Sequence, residues 1–282
     1  MKPLFGKSAT DTVVKASGEL EAFKREKLYT SVLKTGVPPP TAELVLTKIR
    51  SRIHSGIATS AIHREVHALL LEEGRRYADR YQLKRAIMDL GPSGFPFEKY
   101  IASILRSTGY LCTVNQIVPG KCVDHEVDVI VSNPNESAWI ECKFHNLPGT
   151  KTDLKVSLYC YARFLDLRSG PQSDLNRLFW IITNTKFTTQ AIQYAKCMGM
   201  RLTGWNFPPE RPLQALIEGS EMYPITCLSA LKSGHKQKLL RLGISSTSEV
   251  RDSPNILRKI GLTHLQAAGV LDEIRTLCRS YK

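Results

Sequence analysis

Two segments near the middle of the chain constrain its fold more than any other stretch: His125-Glu126-Val127-Asp128-Val129-Ile130-Val131 and Ala138-Trp139-Ile140-Glu141-Cys142-Lys143-Phe144. Strand side chains point alternately to opposite faces. Val127, Val129 and Val131 are therefore expected on one apolar face, with Glu126 and Asp128 on the other. The intervening Ser132-Asn133-Pro134-Asn135-Glu136-Ser137 is dense in turn formers, so the second segment reads as a neighbouring strand. On that strand Glu141 and Lys143 share a face, and Ile140 and Cys142 take the other.

Two carboxylates and an ammonium group then converge at one hairpin. Phosphodiester hydrolysis needs charge neutralisation at the phosphate and an activated water. Mg²⁺ suits that task, held by one or two carboxylates together with substrate phosphates. Lys143 would position or deprotonate the water and stabilise the developing charge. A surface hairpin with solvated charges carries the same short pattern. The upstream sequence weighs against that alternative. Gly91-Pro92-Ser93-Gly94-Phe95-Pro96 breaks the chain, after which Phe97, Tyr100, Ile101, Ile104 and Leu105 mark one face of an amphipathic helix ended by Gly109. Glu98 falls in the first turn of that helix, where it favours the dipole and can reach the same pocket.

The order Gly94-Phe95-Pro96-Phe97-Glu98, Gly109-Tyr110, Asp124-His125-Glu126-Val127-Asp128, Glu141-Cys142-Lys143 resembles the Mrr-like restriction endonucleases of the PD-(D/E)xK superfamily. The resemblance spans about residues 94–207. Phe179 to Asn184 looks like a later core strand, and Thr188 to Cys197 like the helix after it. It implies a catalytic set of Asp128, Glu141 and Lys143, with Glu98 as an auxiliary acid and Asp128 and Glu141 as Mg²⁺ ligands. Glu126 stands where family members often have Gly. Asp153 to Leu167 reads as a helix with Lys155, Tyr159 and Arg163 on one face, a phosphate-contacting stripe or a solvated surface.

The N-terminal third carries a second resemblance. Val13 to Leu28 gives two short strands around a Gly turn and then a helix start, and Ile57-Ala58-Thr59-Ser60-Ala61-Ile62-His63 continues the register to Arg85. This is similar to an ATP-cone, a nucleotide-binding regulatory module. The resemblance implies Lys15, Glu21, Lys27, Thr59 and His63 around bound ATP or dATP, although the family's Lys-Arg-Asp-Gly is Lys15-Ala16-Ser17-Gly18 here. Thr59 to His63 also reads as a plainly capped helix start.

The punctuation divides the 282 residues into 1–91, 92–212 and 213–282. The expected fold is multidomain α+β and α/β. It comprises a mostly helical ATP-cone with a small β-hairpin, a restriction-endonuclease-like α/β core with a mixed sheet, and a small helical domain. In the last segment helices are expected at Leu228 to Lys232, Lys236 to Leu242, Ser248 to Val250, Asn255 to Ile260 and Leu262 to Arg279. The turns at Gly243 and Gly261 are faintly similar to helix-hairpin-helix modules. Net charge is +13, spread over the three segments as +6, +3 and +4, so DNA phosphates would meet folded surfaces and no basic tail. Seven cysteines without a Cys-x-x-Cys pair suit reduced thiols in the cytosol. No apolar run approaches the roughly 18 residues of a membrane span, and the opening residues Met1 to Lys7 lack a signal-peptide core. The combined expectation is a cytoplasmic, nucleotide-regulated, Mg²⁺-dependent endonuclease acting on double-stranded DNA, with a homodimer left open. The alternative is a nucleotide-sensing DNA-binding protein that does not cut.

Overall fold

The computed structural model describes residues 11–15, 18–171 and 175–278. Ala16 and Ser17 of the first expected turn, Arg279 at the expected end of the last helix, and Met1 to Lys7 lie outside the described residues. The chain forms two compact units that divide between Gln82 and Leu83.

The first unit contains β1 (Thr12–Val14), β2 (Leu20–Ala22), α1 (Arg25–Leu33), α2 (Pro39–Arg50), β3 (Ile57–Ala58), α3 (Thr59–Glu73) and α4 (Arg75–Tyr81). Its sheet runs β2-β1-β3, with β2 antiparallel and β3 parallel to β1. Pro39 and Pro40 open α2, where a missing N–H costs nothing. Val45, Leu46 and Ile49 of α2 and Ile62, Val66 and Leu70 of α3 fall at helical spacing and close one apolar core with Val13 and Val32.

The second unit begins with α5 (Leu83–Met88), earlier than the expected division at residue 92. Leu83, Ile87 and Leu90 are buried in the same core as Phe97 and Tyr100, which ties α5 to the downstream helix that carries those two rings. Next come α6 (Phe95–Ser107), β4 (Leu111–Pro119), β5 (Asp124–Ser132), β6 (Ser137–Lys143), β7 (Lys151–Thr152) and α7 (Leu154–Arg168). After them lie β8 (Leu178–Thr183), β9 (Lys186–Phe187), α8 (Thr189–Cys197), β10 (Arg201–Thr203) and α9 (Leu213–Ser220). The main sheet is mixed, in the order β10-β8-β6-β5-β4. The β4–β5 and β5–β6 pairs are antiparallel, and β6–β8 and β8–β10 are parallel.

Helices cover both faces of this sheet. One cluster joins α6 and α9 to Val129, Val131, Ile140 and Cys142. The other joins Cys160, Phe164 and Leu167 of α7 and Ala191 and Ala195 of α8 to Trp139, Phe179 and Ile181. β6 is thus buried on both sides, as expected of a strand in the parallel part of a sheet. Val127 does not share the face of Val129 and Val131, as simple alternation predicted; it joins the second cluster. The reason is a break in the ladder. Pairing runs Val114↔Val129 and then Gln116↔Val127, omitting Asn115 opposite Asp128. Asn115 has φ 51°, a left-handed conformation that interrupts the pleat.

The C-terminal segment adds α10 (Ser233–Arg241), α11 (Thr247–Asp252), α12 (Ile256–Lys259) and α13 (His264–Leu277). Its apolar side chains Leu239, Val250, Leu257, Val270 and Ile274 belong to the same core as α6 and α9. The division expected at residue 213 is therefore bridged by one continuous core. Tyr100 donates to the Met222 carbonyl at 2.5 Å, and Thr226 to that of Ala86 at 2.5 Å. The helix expected at Leu228 to Lys232 is absent. The Glu273 carboxylate accepts the N–H groups of Ser229 and Ala230 at 2.6 and 2.8 Å and holds this segment as a turn against α13. Among the described residues no helix is long and apolar enough to cross a membrane.

Candidate active site

The end of β6 and the middle of β5 bring Asp128, Glu141 and Lys143 together. Asp128 Oδ2 accepts the Cys142 N–H at 2.7 Å, so the carboxylate occupies the place where a strand-to-strand bond would otherwise form. Glu141 is 5 % exposed. Its Oε1 accepts from Lys143 Nζ at 2.5 Å and its Oε2 from Arg163 Nη1 at 2.7 Å. Arg163 reaches in from α7, and its second nitrogen donates to the Glu126 carbonyl. The helix that carries it is fixed by the Asp153 side chain capping the Val156 N–H at 3.1 Å.

Glu98 comes from the first turn of α6. Its Oε2 accepts from Asn115 Nδ2 at 2.9 Å, and the same nitrogen lies 3.4 Å from Glu126 Oε1. The left-handed backbone at Asn115 thus aims an amide at two carboxylates. Residues held in sparsely populated backbone regions concentrate at functional sites. Lys155 and Tyr159 remain exposed on α7, whereas Arg163 has left the expected surface stripe for the centre.

The electrostatics are strained. Burial, with Glu141 and Glu98 adding repulsion against the opposing Cys142 N–H bond, pushes the Asp128 carboxyl up to about 7. Burial also raises Glu98, against the Asn115 hydrogen bond. For Lys143 burial favours the neutral amine, but the charge and hydrogen bond of Glu141 outweigh it and the ammonium is held above its ordinary range. Lys143 therefore acts here as a cationic donor. Nearby His145 is lowered, by burial first and by Lys143 second. Its Nε2 lies 2.9 Å from Thr152 Oγ1.

Two close carboxylates of which one resists ionisation form a site that a divalent cation would relieve. Among the described residues no three Asp, Glu, His or Cys side chains form a metal-holding group. The oxygen-only donor pair matches Mg²⁺, which keeps several waters, better than a closed zinc cage. Asp128 and Glu141 are the residues that would hold it.

In the first unit, Glu21, Lys27, Thr59 and His63 line a cavity of about 230 Å³ with Phe23, Lys24, Ser31 and Tyr81. Lys15 is linked to the group through Glu21, 2.8 Å away. Glu21 also pairs with Lys27, and the two lysines, Lys15 first, hold its carboxyl down to about 2. The His63 ring stacks on Tyr81 at 4.5 Å. This volume lies below the range of roughly 300–1,000 Å³ common for small-molecule sites.

Comparison with known proteins places this site in a family. Residues 91–205 match the restriction endonuclease family, and residues 223–278 match the family described as AF1548-like, C-terminal. An uncharacterized protein of Archaeoglobus fulgidus is 39 % identical over 176 residues, covering 62 % of this chain and 98 % of that protein. The crystal structure of a protein of unknown function, AF1548, matches with a TM-score of 0.55 and 36 % identity, covering 66 % of this chain and 98 % of that one. The chain therefore belongs to the AF1548-like family, with a restriction-endonuclease-like domain over residues 91–205.

Proposed function

We propose that this protein is a Mg²⁺-dependent endonuclease that hydrolyses phosphodiester bonds in double-stranded DNA. The observation that carries the reading is the convergence of Asp128, Glu141 and Lys143 on one end of the sheet, with Asp128 pushed up to about 7. Bound there, Mg²⁺ would supply Lewis-acid polarisation of the phosphate and activation of water. Lys143, kept cationic by Glu141, donates to the oxygen on which charge develops as water attacks in line. Asn115 orients Glu98 for proton transfer at the rim of the centre. Single-turnover cleavage of duplex DNA by wild type and Asp128→Ala tests this reading; equal rates would remove it.

The ATP-cone resemblance, with Lys27, Thr59 and His63 around one cavity that would have to widen, supports ATP or dATP as a regulatory ligand. Binding would have to open the Glu21 ion pairs to free the lysines for phosphates. Calorimetry with ATP and dATP tests it, and absence of heat from both would dismiss it. One observation favours a non-cutting, nucleotide-sensing DNA-binding protein as the second reading: both Glu141 oxygens are occupied by protein cations. Retained DNA binding without cleavage in wild type and Lys143→Ala alike would select it.

A further inference from the structure

The occupation of Glu141 poses a problem for a metal centre at this carboxylate, the reading on which the latch described here rests. Glu141 is 5 % exposed, with one oxygen bonded to Lys143 and the other to Arg163. A divalent ion at this carboxylate would sit beside two existing positive charges. Like charges this close in a poorly hydrated site repel strongly, so one of them must give way.

The geometry singles out the one that moves. Lys143 lies two residues from Glu141 on β6, and both positions are registered against β8 through Glu141↔Ile181 and Lys143↔Thr183. Its ammonium donates to Glu141 Oε1 from the same strand. Arg163 reaches the same carboxylate from a different element, at the end of a long side chain. A guanidinium cannot relieve the conflict by losing its proton. It has somewhere to go, because it already lies 5.4 Å from the centroid of the Tyr159 ring, and Tyr159 is 59 % exposed. That ring offers a cation–π surface leading out of the centre. The helix itself need not shift: Cys160, Phe164 and Leu167 are buried on its other side, and Asp166 is held by the Cys122 and Val123 N–H groups.

We propose that Arg163 is an exchange latch on Glu141: its guanidinium occupies the carboxylate in the metal-free protein and is displaced by a divalent cation, becoming available to DNA phosphate. Arg163 is thus a positioning residue that competes with the metal while supporting Glu141. The effect of removing it then has an unusual sign. A residue that merely braces a ligand weakens metal binding when removed, whereas a competitor strengthens it, since apparent affinity is reduced by the fraction of molecules in which the site is closed.

The test is Mn²⁺ binding by the full-length protein without DNA, read from the electron paramagnetic resonance of free Mn²⁺. Wild type, Arg163→Met, Arg163→Lys and the site control Asp128→Asn are compared, with thermal melting to confirm folding. The expected result is Mn²⁺ binding to Arg163→Met roughly tenfold tighter than to wild type, an intermediate value for Arg163→Lys, and loss of binding in Asp128→Asn. Equal or weaker binding by folded Arg163 variants overturns the latch while leaving the metal centre intact. No binding by any form overturns the metal centre and the latch with it. If the variants do not fold, a crystal structure of the wild type with Ca²⁺ decides. Release of Arg163 from Glu141 upholds the proposal, and an unbroken bond beside bound Ca²⁺ refutes it.

Discussion

The two ends of β6 each present a glutamate paired with an arginine, yet the pairs have opposite characters. Before the strand, Glu136 accepts two bonds from Arg201, at 2.7 and 2.8 Å, and another from Tyr110. The Arg201 guanidinium lies 4.8 Å from the Trp180 ring centroid. Arg201 holds the Glu136 carboxyl down to about 2. At the far end, Glu141 makes single bonds to two different cations, while burial and neighbouring carboxylates push Asp128 in the other direction. One residue pairing therefore serves two purposes, set by its neighbours. A bidentate pair stabilises its own charged form, and a crowded, buried one leaves charge that a further ion would complete.

Identical substitutions five positions apart expose the contrast most strongly. Glu141→Gln should lower duplex cleavage about a thousandfold, whereas Glu136→Gln should leave the single-turnover rate within a factor of two or so, because Glu136 bonds Tyr110 and Arg201 at the opposite end of β6. A large loss of cleavage in Glu136→Gln would break the comparison. A smaller effect is expected at Asn115, which touches Glu98 and Glu126 without being a candidate ligand. Asn115→Ala should reduce cleavage by roughly 10- to 100-fold, the usual cost of losing a group that orients others in a metal site. Wild-type cleavage by this variant would mean that the left-handed residue has no part in positioning Glu98.

The smallest effect concerns stability at the quiet end. Glu136→Gln should destabilise the fold by about 1–2 kcal/mol, less if solvent screening dominates, since the Glu136 and Arg201 side chains are 25 % and 38 % exposed. The Glu136 carboxyl is depressed in the folded protein, so its contribution is full above the unfolded value near 4.5 and is lost as pH falls towards 2. Melting curves of wild type and variant should differ at pH 7 and converge at acid pH. A difference that grows on acidification would contradict the assignment of Glu136 as a depressed, ion-paired carboxylate.

Much of the crowded end of β6 was legible in the sequence. Period-two alternation and the turn-rich Ser132 to Ser137 located β5 and β6, and with them Asp128, Glu141 and Lys143, because that information is local. Helical spacing located α6 and α7 within a residue or two of their bounds, and the family resemblance did the same for α8. Arg163 was visible only as part of a surface stripe, since periodicity tells which residues share a helix face and is silent on what that face meets. β4 escaped because Asn115-Gln116 interrupts its alternation at the very position where the pleat breaks. β10 escaped because three residues carry too little pattern. The division at Leu83 was hidden by louder punctuation at Gly91 to Pro96, which lies inside the second unit; only the burial of Leu83, Ile87 and Leu90 reveals where α5 belongs.

Whether the crowded end of β6 is a hydrolytic centre is decided by nicking of supercoiled plasmid in the presence of Mg²⁺. Nicking is expected from wild type and none from Lys143→Ala, which loses the ammonium that donates to Glu141. Nicking by both proteins at equal rates would contradict the assignment of the site.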